Sequence, residues 1–433
     1  MAKNEMIPVH NVTANEMLFE SDTFCMLPFI SQHLTPDGKV LPCCIGNLST
    51  GKELGRKDLN LEGMVNSDVM RQLRLDMIRG QKNNICNTCY KTEEARSGMY
   101  SFRNTANSKW GADYVHEVLR NTDDTGKLHN FKMRYFDFRL SNVCNFKCRS
   151  CNSGYSTLWQ AEDAKQGIPS SIDIMPERNK SLLEEVLEHI PHMKEAYFAG
   201  GEPVVDENHY IILEELLRQG RTDVQLNYNT NLSRLKFKDY DLLSLWSQFE
   251  KPVDVYSSID HYGERAEYIR NGTKWGDVED NIKTLLMEPN VNLQISTTVS
   301  MLNYLTLEEF YLYMLKKGLM PGGDWQLNPV FNPSHFSVMN FPEEYKEKGR
   351  KQVQKIMDFC TSDHYTIDKY RRRNFDFEHT VSNIKNFPNL VDNTDSQWDS
   401  VKDKFRSETV RLDNMRNEDF VKTFPELAEL YTG

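Results

Sequence analysis

SNVCNFKCRSC, residues 141–151, places three cysteines at positions 144, 148 and 151. The alternating run before it, from Phe131 to Leu140, is typical of a β-strand, so the cysteines are expected in the loop at the strand's end. The C-x3-C-x2-C spacing lets three thiolates converge on one metal centre. In a cubane iron–sulfur cluster this set leaves one iron without a protein ligand, and an open position is typical of sites that do chemistry. A zinc loop with a fourth ligand elsewhere is the alternative that the spacing leaves open.

A second motif, YFAGGEP at residues 197–203, is an apolar strand that ends in two glycines, an acid and a proline. Glycines at a strand end let the backbone approach a ligand closely, and Pro203 stiffens the exit from the turn. Taken alone, the motif also fits an ordinary strand-to-helix turn.

Together, the two motifs resemble those of the radical S-adenosylmethionine (SAM) superfamily. The resemblance implies a 4Fe-4S cluster on Cys144, Cys148 and Cys151, with SAM chelating the fourth iron through its amino and carboxylate groups. Reduction of the cluster, by a donor such as flavodoxin or ferredoxin, would yield a 5′-deoxyadenosyl radical that abstracts hydrogen from a substrate. The residues of the second motif expected to contact SAM are Gly200, Gly201, Glu202 and Pro203. One departure from the family pattern is Ser150, where an aromatic or large apolar residue usually precedes the third cysteine.

The N-terminal region contains a second group of cysteines, namely Cys25, Cys43, Cys44, Cys86 and Cys89. The segments 24–29 and 37–44 predict a hairpin that turns at Pro36-Asp37-Gly38. A helix is predicted from Ser67 to Arg79, just before the C-x2-C pair. Four soft thiolates suit zinc and an iron–sulfur cluster equally well.

The spacing of this group, C-x12-G-x4-C followed by an Arg-containing helix and C-x2-C, resembles the SPASM and Twitch auxiliary-cluster domains. The resemblance implies a second 4Fe-4S cluster on Cys25, Cys43, Cys86 and Cys89. The distance from Gly38 favours Cys43 over Cys44, although the reverse stays open. Because position 95 is Ala95 where the longer SPASM pattern has a cysteine, we expect one auxiliary cluster, as in a Twitch domain. A structural zinc knuckle is the alternative.

Six strand-like runs alternate with helical patterns after the cysteine-rich region, which predicts parallel βαβ units. The strands are expected at 133–140, 196–199, 224–228, 253–259, 291–299 and 325–331, and the helices at 181–190, 210–218, 239–246, 278–286 and 307–316. Six such units resemble the partial (β/α)6 TIM-like barrel of radical SAM enzymes. We therefore expect an α/β chain with a Twitch-like domain at 1–120, a barrel at 125–335 and a helical C-terminal extension at 336–433. In the extension, helices are predicted at 343–359 and 398–415, with a loop at Asn386-Phe387-Pro388-Asn389 between them.

Polar residues at the carboxyl ends of barrel strands are candidate ligand contacts, because functional residues of such barrels lie there. Asn231 and Ser258 are expected to bind the ribose or methionine part of SAM, with loop capping as the structural alternative. Ser258-Ile259-Asp260 followed by Tyr268-Ile269-Arg270-Asn271-Gly272 resembles the fourth-strand region of peptide-modifying members. This resemblance implies that Arg270 pairs with the SAM carboxylate through its guanidinium fork. A surface arginine is the alternative.

Composition restricts the partners and the compartment. The formal net charge of −11 makes nucleic acid an unlikely partner, because phosphate binding relies on Lys and Arg. Residues 1–15 lack a secretory apolar core and no stretch of eighteen apolar residues occurs, so a cytoplasmic protein without membrane contact is expected. In that compartment, nine cysteines indicate metal ligation rather than disulfides.

The predicted function is therefore that of a radical SAM enzyme that abstracts hydrogen from a peptide or protein substrate. This substrate class comes from the resemblance to peptide-modifying members. Two alternatives stay open: a radical SAM enzyme acting on a small molecule such as a nucleotide or sugar, and a non-catalytic metal-binding scaffold.

Overall fold

The computed structural model describes residues 12–37, 40–46, 60–94, 101–170, 176–320, 325–360, 377–392 and 395–432. The chain divides into two compact units. The first comprises residues 1–142, 172–227 and 247–251, and the second comprises residues 143–171, 228–246 and 252–433. Gly38 and Ala95, on which the comparison with SPASM and Twitch domains partly depends, lie outside the described residues.

The described strands are β1 (Ser31–Leu34), β2 (Val40–Leu41), β3 (Tyr135–Phe138), β4 (Lys147–Cys148), β5 (Glu195–Phe198), β6 (Gln225–Thr230), β7 (Lys236–Phe237), β8 (Tyr240–Asp241), β9 (Val253–Ser258), β10 (Arg270–Asn271), β11 (Val291–Val299) and β12 (Trp325–Pro329). The described α-helices are Leu27–Ile30, Leu61–Val65, Asp68–Ile78, Asn87–Glu94, Phe102–Arg120, Thr157–Lys165, Pro176–Glu188, Glu207–Arg218, Leu242–Trp246, Gly263–Ile269, Trp275–Met287, Leu307–Lys316, Glu343–Cys360, Phe377–Asp392, Trp398–Arg416, Phe420–Thr423 and Ala428–Thr432. Across these ranges, no helix combines the length and the apolar character needed to cross a bilayer.

In the first unit the strands follow the order β2-β1-β3-β5. β3 runs parallel to β5, as βαβ units require, and β1 runs parallel to β3 on its other side. β2 closes this edge as the antiparallel partner of β1. One face of the sheet is apolar: Phe136 and Phe198 pack at 5.8 Å between ring centroids and are at most 4% exposed. The N-terminal hairpin therefore continues the parallel sheet, an arrangement that the sequence did not predict.

The hairpin itself is confirmed, but its first arm is not where the sequence placed it. Residues Leu27–Ile30 form a short helix, with Pro28 in the first turn. Proline is well suited to that position, because its fixed φ matches the helix and its missing N–H would be unbonded there anyway. The arm that pairs with β2 is Ser31–Leu34.

In the second unit the order is β9-β11-β12, again with parallel neighbours. β9 alternates buried Val253, Val255 and Ser257 with half-buried residues, the period of two that a strand between a core and a more open face requires. Helix Trp275–Met287 packs with Val278, Ile282 and Leu285 buried, a helical spacing. The prediction of an α/β fold with parallel strands and intervening helices is confirmed.

The loop predicted at residues 386–389 is wrong, because these residues lie inside helix Phe377–Asp392. Pro388 costs this helix a backbone hydrogen bond. The helix persists because Ile384, Phe387 and Val391 share one face and are each at most 2% exposed. The Phe387 ring packs 5.9 Å from that of Tyr304, measured between centroids.

Arg74 is the buried polar centre of the cysteine-rich part of the first unit. Its side chain is 0% exposed, and burial lowers its pKa to about 9. The guanidinium donates to the backbone oxygens of Gly126 (2.9 Å), Pro28 (3.1 Å) and Val65 (2.8 Å). One side chain thereby joins three separate segments of the backbone.

Replacing Arg74 with Met should lower the free energy of unfolding by about 3 kcal/mol or more, because three buried carbonyls lose their donor. The measurement is urea denaturation followed by circular dichroism. Arg71→Met, on the more exposed side of the same helix, is the matched control and should cost about 1 kcal/mol or less. Equal effects of the two variants would contradict this account.

Candidate functional site

The cysteine loop of the second unit, residues 144–151, is folded against the segment that carries Arg270. β4 and β10 pair in antiparallel fashion, with Cys148 opposite Arg270. Within the loop, the Phe146 N–H donates to Cys144 Sγ at 3.4 Å, and the Cys151 N–H donates to the Cys148 carbonyl at 3.0 Å. The three thiols are half-buried. The loop thus holds all three on one short, hydrogen-bonded segment.

Gly272 is required by the close approach of these two segments. Its φ is +111°, and an added Cβ would lie 2.8 Å from Phe146 Cδ1 and 2.9 Å from the Asn145 carbonyl oxygen. Any side chain would therefore push the cysteine loop away from β10. The sequence contained this glycine in a family motif but gave no reason for it.

Arg270 points one guanidinium nitrogen at Cys148 and offers the others to Asp260. Nη1 lies 3.8 Å from Cys148 Sγ, whereas Nε and Nη2 contact the two Asp260 oxygens at 2.8 and 3.0 Å. The Asp260 side chain is only 1% exposed. The fork predicted to bind a cofactor carboxylate is thus engaged by a carboxylate of the chain itself.

The polar residues predicted at the strand ends have mixed roles. Asn231 donates to Asn145 Oδ1 at 2.9 Å and so supports the cysteine loop from β6. Ser258 lies half-buried at the end of β9, with Ser296 of β11 beside it. The second unit therefore brings Asn231 and Arg270 to the cysteine loop.

The glycine motif lies in the first unit and forms a strand, a turn and a helix start. Gly200 has a φ of +129°, and a Cβ there would lie 3.3 Å from Arg139 Cδ. The Glu202 side chain is 3% exposed and accepts the Val204 N–H at 3.2 Å, which caps the short helical turn Pro203–Val205. The backbone around the two glycines is therefore the part of this motif that can approach a ligand.

Four N-terminal cysteines surround one cavity in the first unit: Cys25, Cys43, Cys86 and Cys89. Arg103 lines the same cavity and is held by Glu93, through contacts of 3.0 Å from Nε and 2.7 Å from Nη2. Burial raises the pKa of the Cys25 and Cys86 thiols, and the positive charge of Arg103 opposes this rise. No sequence pattern indicated Arg103, because this residue follows the cysteine motif at no characteristic spacing.

Cys44 points to different partners. Its thiol lies by Asp137 and Arg139, and its pKa is raised to about 12, first by burial and then by the Asp137 charge. Arg139 Nη2 contacts Asp137 at 3.1 Å, and the His33 ring lies on the same carboxylate, also at 3.1 Å. Of the two adjacent cysteines, Cys43 is the one at the cavity.

The donor set of both groups suits iron–sulfur clusters, since thiolates are the usual ligands of such clusters. The pKa of Cys148 is raised by burial and lowered by Arg270, whereas that of Cys151 rises to about 12 through burial and the nearby Cys148. In the described ranges, no three or more His, Cys, Asp or Glu side chains are arranged to hold a single metal ion.

The family model of SPASM, an iron–sulfur cluster-binding domain, matches residues 25–90 of the chain. This range contains the four cavity cysteines and β1 and β2. The prediction of a SPASM-like auxiliary domain at the N-terminus is confirmed. None of the curated proteins compared with the chain matches it.

Solved structures show only weak similarity. Native anSMEcpe with bound AdoMet is 19% identical over 52% of this chain and 58% of that chain, with a TM-score of 0.36. Streptococcus suis SuiB bound to precursor peptide SuiA is 10% identical over 76% of this chain and 70% of that chain, with a TM-score of 0.37. The chain thus spans less than two thirds of the length of anSMEcpe.

His261 is a buried neutral histidine next to Asp260. It is 0% exposed, its Nε2 lies 3.2 Å from Thr306 Oγ1, and its ring is 5.6 Å from that of Phe310. Burial, followed by the charge of Arg265, lowers its pKa to about 3. The folded chain therefore keeps this ring uncharged at pH values where the unfolded chain protonates it.

The contribution of His261 to the free energy of unfolding should be fully present above pH 6.5. It should be lost as the pH falls toward 3, by up to about 1.4 kcal/mol per pH unit. In His261→Gln, the urea midpoint should decline less steeply than in the wild type between pH 7 and pH 4.5. His116→Gln, at an exposed position, should keep the wild-type slope. Identical slopes in all three proteins would contradict the assignment.

Proposed function

We propose that the chain is a radical SAM enzyme that abstracts hydrogen from a peptide or protein substrate. The observation that carries the proposal is the C-x3-C-x2-C loop, held by β10 so that Cys148 faces Arg270. Burial raises the pKa of the Cys148 thiol, and the Arg270 charge beside it opposes that rise and so favours the thiolate, the form that ligates iron.

In this proposal, Cys144, Cys148 and Cys151 hold three irons of a 4Fe-4S cluster. When bound, the cluster and SAM supply a 5′-deoxyadenosyl radical for hydrogen abstraction, and an electron donor such as flavodoxin or ferredoxin provides the reducing electron. The chain's own part is to orient these groups and to stabilise charge. The Phe146 N–H and Arg270 Nη1 both point at ligand sulfurs, where such donors stabilise thiolates.

The contacts to SAM belong to the same proposal. Gly200 and Gly201 offer backbone groups, and Pro203 stiffens the turn that Glu202 caps. Asn231 and Ser258 complete the proposed set. Because Asp260 occupies Nε and Nη2 of Arg270, a SAM carboxylate would share Nη1 with Cys148.

A second 4Fe-4S cluster is proposed for Cys25, Cys43, Cys86 and Cys89. The shared cavity and the match to an iron–sulfur cluster-binding domain support it. Arg103 would offset the negative charge of the four thiolates.

A peptide or protein is the proposed substrate class. A peptide or protein substrate is supported by the resemblance of residues 258–272 to peptide-modifying members.

The proposal predicts about eight irons per chain after anaerobic reconstitution, and 5′-deoxyadenosine on reduction by dithionite with SAM. Cys148→Ala should fall to about four irons and lose 5′-deoxyadenosine formation while keeping its circular dichroism spectrum. The control is Cys360→Ala, whose buried thiol contacts Tyr311 at 3.3 Å; it should keep both iron and cleavage. Zinc in place of iron, or no cleavage by the reconstituted wild type, would leave a metal-stabilised scaffold.

The two adjacent cysteines give a separate test of the auxiliary cluster. Cys43→Ser should lose about four irons, because Cys43 lines the cavity with the three other thiols. Cys44→Ser should retain them, because Cys44 lies at Asp137 instead. The measurement is the iron content of both variants. Loss of iron in Cys44→Ser but not in Cys43→Ser would identify Cys44 as the ligand.

A further inference from the structure

Arg149, between the second and third cysteines of the loop, is fully buried against the C-terminal helices. The residue is 1% exposed, and its Nη2 contacts Asp413 at 2.5 Å and Glu418 at 2.7 Å. Its guanidinium carbon lies 3.7 Å from the centroid of the Tyr268 ring. A buried cation of this kind is stable only while its carboxylates stay in place.

The same two acids also hold the segment that pairs with the loop. Asp413 accepts the Tyr268 hydroxyl at 2.7 Å, and Glu418 accepts the Asn271 side-chain amide at 2.7 Å. Asn271 belongs to β10, the partner of β4. The acids therefore contact β10 and the residue that directly follows β4, on both sides of the small sheet that presents Cys148.

A second set of contacts reaches the loop from Arg416, at the end of helix Trp398–Arg416. Its side chain is 1% exposed and contacts Glu162 at 2.6 Å, and Glu162 in turn contacts Lys147 of β4 at 2.5 Å. Arg416 also lies 4.6 Å over the Trp159 ring, whose N–H donates to the Cys148 carbonyl at 2.8 Å. Residues on both sides of Cys148 are thus tied to one C-terminal helix.

We propose that residues 398–420 act as a clamp that positions the cysteine loop for its cluster, with Arg149, Asp413, Glu418 and Arg416 as positioning residues. The inference rests on the proposed function, since it concerns the loop of the proposed SAM cluster. Residues 398–420 belong to the helical extension predicted at 336–433, and in this proposal they support the cluster site. The clamp acts on the loop through Lys147 and Arg149, the residues on either side of Cys148.

The test is hydrogen–deuterium exchange on the full-length metal-free chain. In Asp413→Asn/Glu418→Gln, amides of residues 144–151 should exchange at least about tenfold faster, while those of β9 and β11 keep wild-type rates. The matched control, Asp399→Asn/Asp403→Asn, removes two exposed acids from the same helix and should change neither. Unchanged exchange in the loop, or an equal rise in the loop and in β9 and β11, would overturn the clamp.

A second pair of variants separates positioning from simple loss of packing. Arg149→Met should speed the exchange of residues 144–151, and Arg149→Lys, which keeps the charge but not the fork, should restore part of the protection.

In reconstituted protein, Asp413→Asn/Glu418→Gln should alter the electron paramagnetic resonance spectrum of the cluster lost in Cys148→Ala, and leave that of the other cluster unchanged. An unaltered spectrum with a loosened loop would overturn the positioning role. If the wild type binds no iron at this loop, the proposed function fails, but the exchange experiment still decides on the clamp.

Discussion

Charge compensation for buried sulfur is the constraint that organises both cysteine groups. A thiolate in a poorly solvated site needs a positive charge nearby, and a buried positive charge needs an acid of its own. Each unit meets both needs with a forked arginine–carboxylate pair, Arg270 with Asp260 and Arg103 with Glu93. The carboxylate fixes the orientation of the guanidinium, so that the arginine can face sulfur without turning away. Most of the polar contacts described around the cysteines serve to hold one of these arginines or the loop beside it.

Close approach of backbone is the second requirement of the cysteine loop. Gly272 permits contact between β10 and the loop at a distance that no other residue allows. The hydrogen bond from Asn231 and the indole N–H of Trp159 then fix the loop from two other directions. Gly272 thus allows the loop to lie close to β10, and the side chains of Asn231 and Trp159 hold it in that position.

The sequence predicted the features that repeat locally and missed those that depend on distant partners. β11 and helix Leu307–Lys316 have the predicted bounds, because their hydrophobic periods of two and 3.6 directly reflect burial. Helix Phe377–Asp392 was missed because Pro388 is a strong local signal that tertiary packing of Ile384 and Phe387 overrides. The cysteine motifs pointed to both candidate metal groups. Arg103, which lines the N-terminal cavity, and Asp413, which holds Arg149, have no characteristic spacing from the cysteines, and only the folded chain identifies them.

The parallel pairing of β1 with β3 gives the N-terminal cysteines a role in protecting the sheet. β1 lies in sequence between Cys25 and Cys43, two thiols that line one cavity, so whatever fixes those thiols also anchors both ends of the strand. Without β1 and β2, the backbone of β3 would present an open edge of the kind that recruits other chains into aggregates. The cavity and the covered edge of the sheet thus share one short segment of the chain, so a change that disturbs either is expected to reach the other.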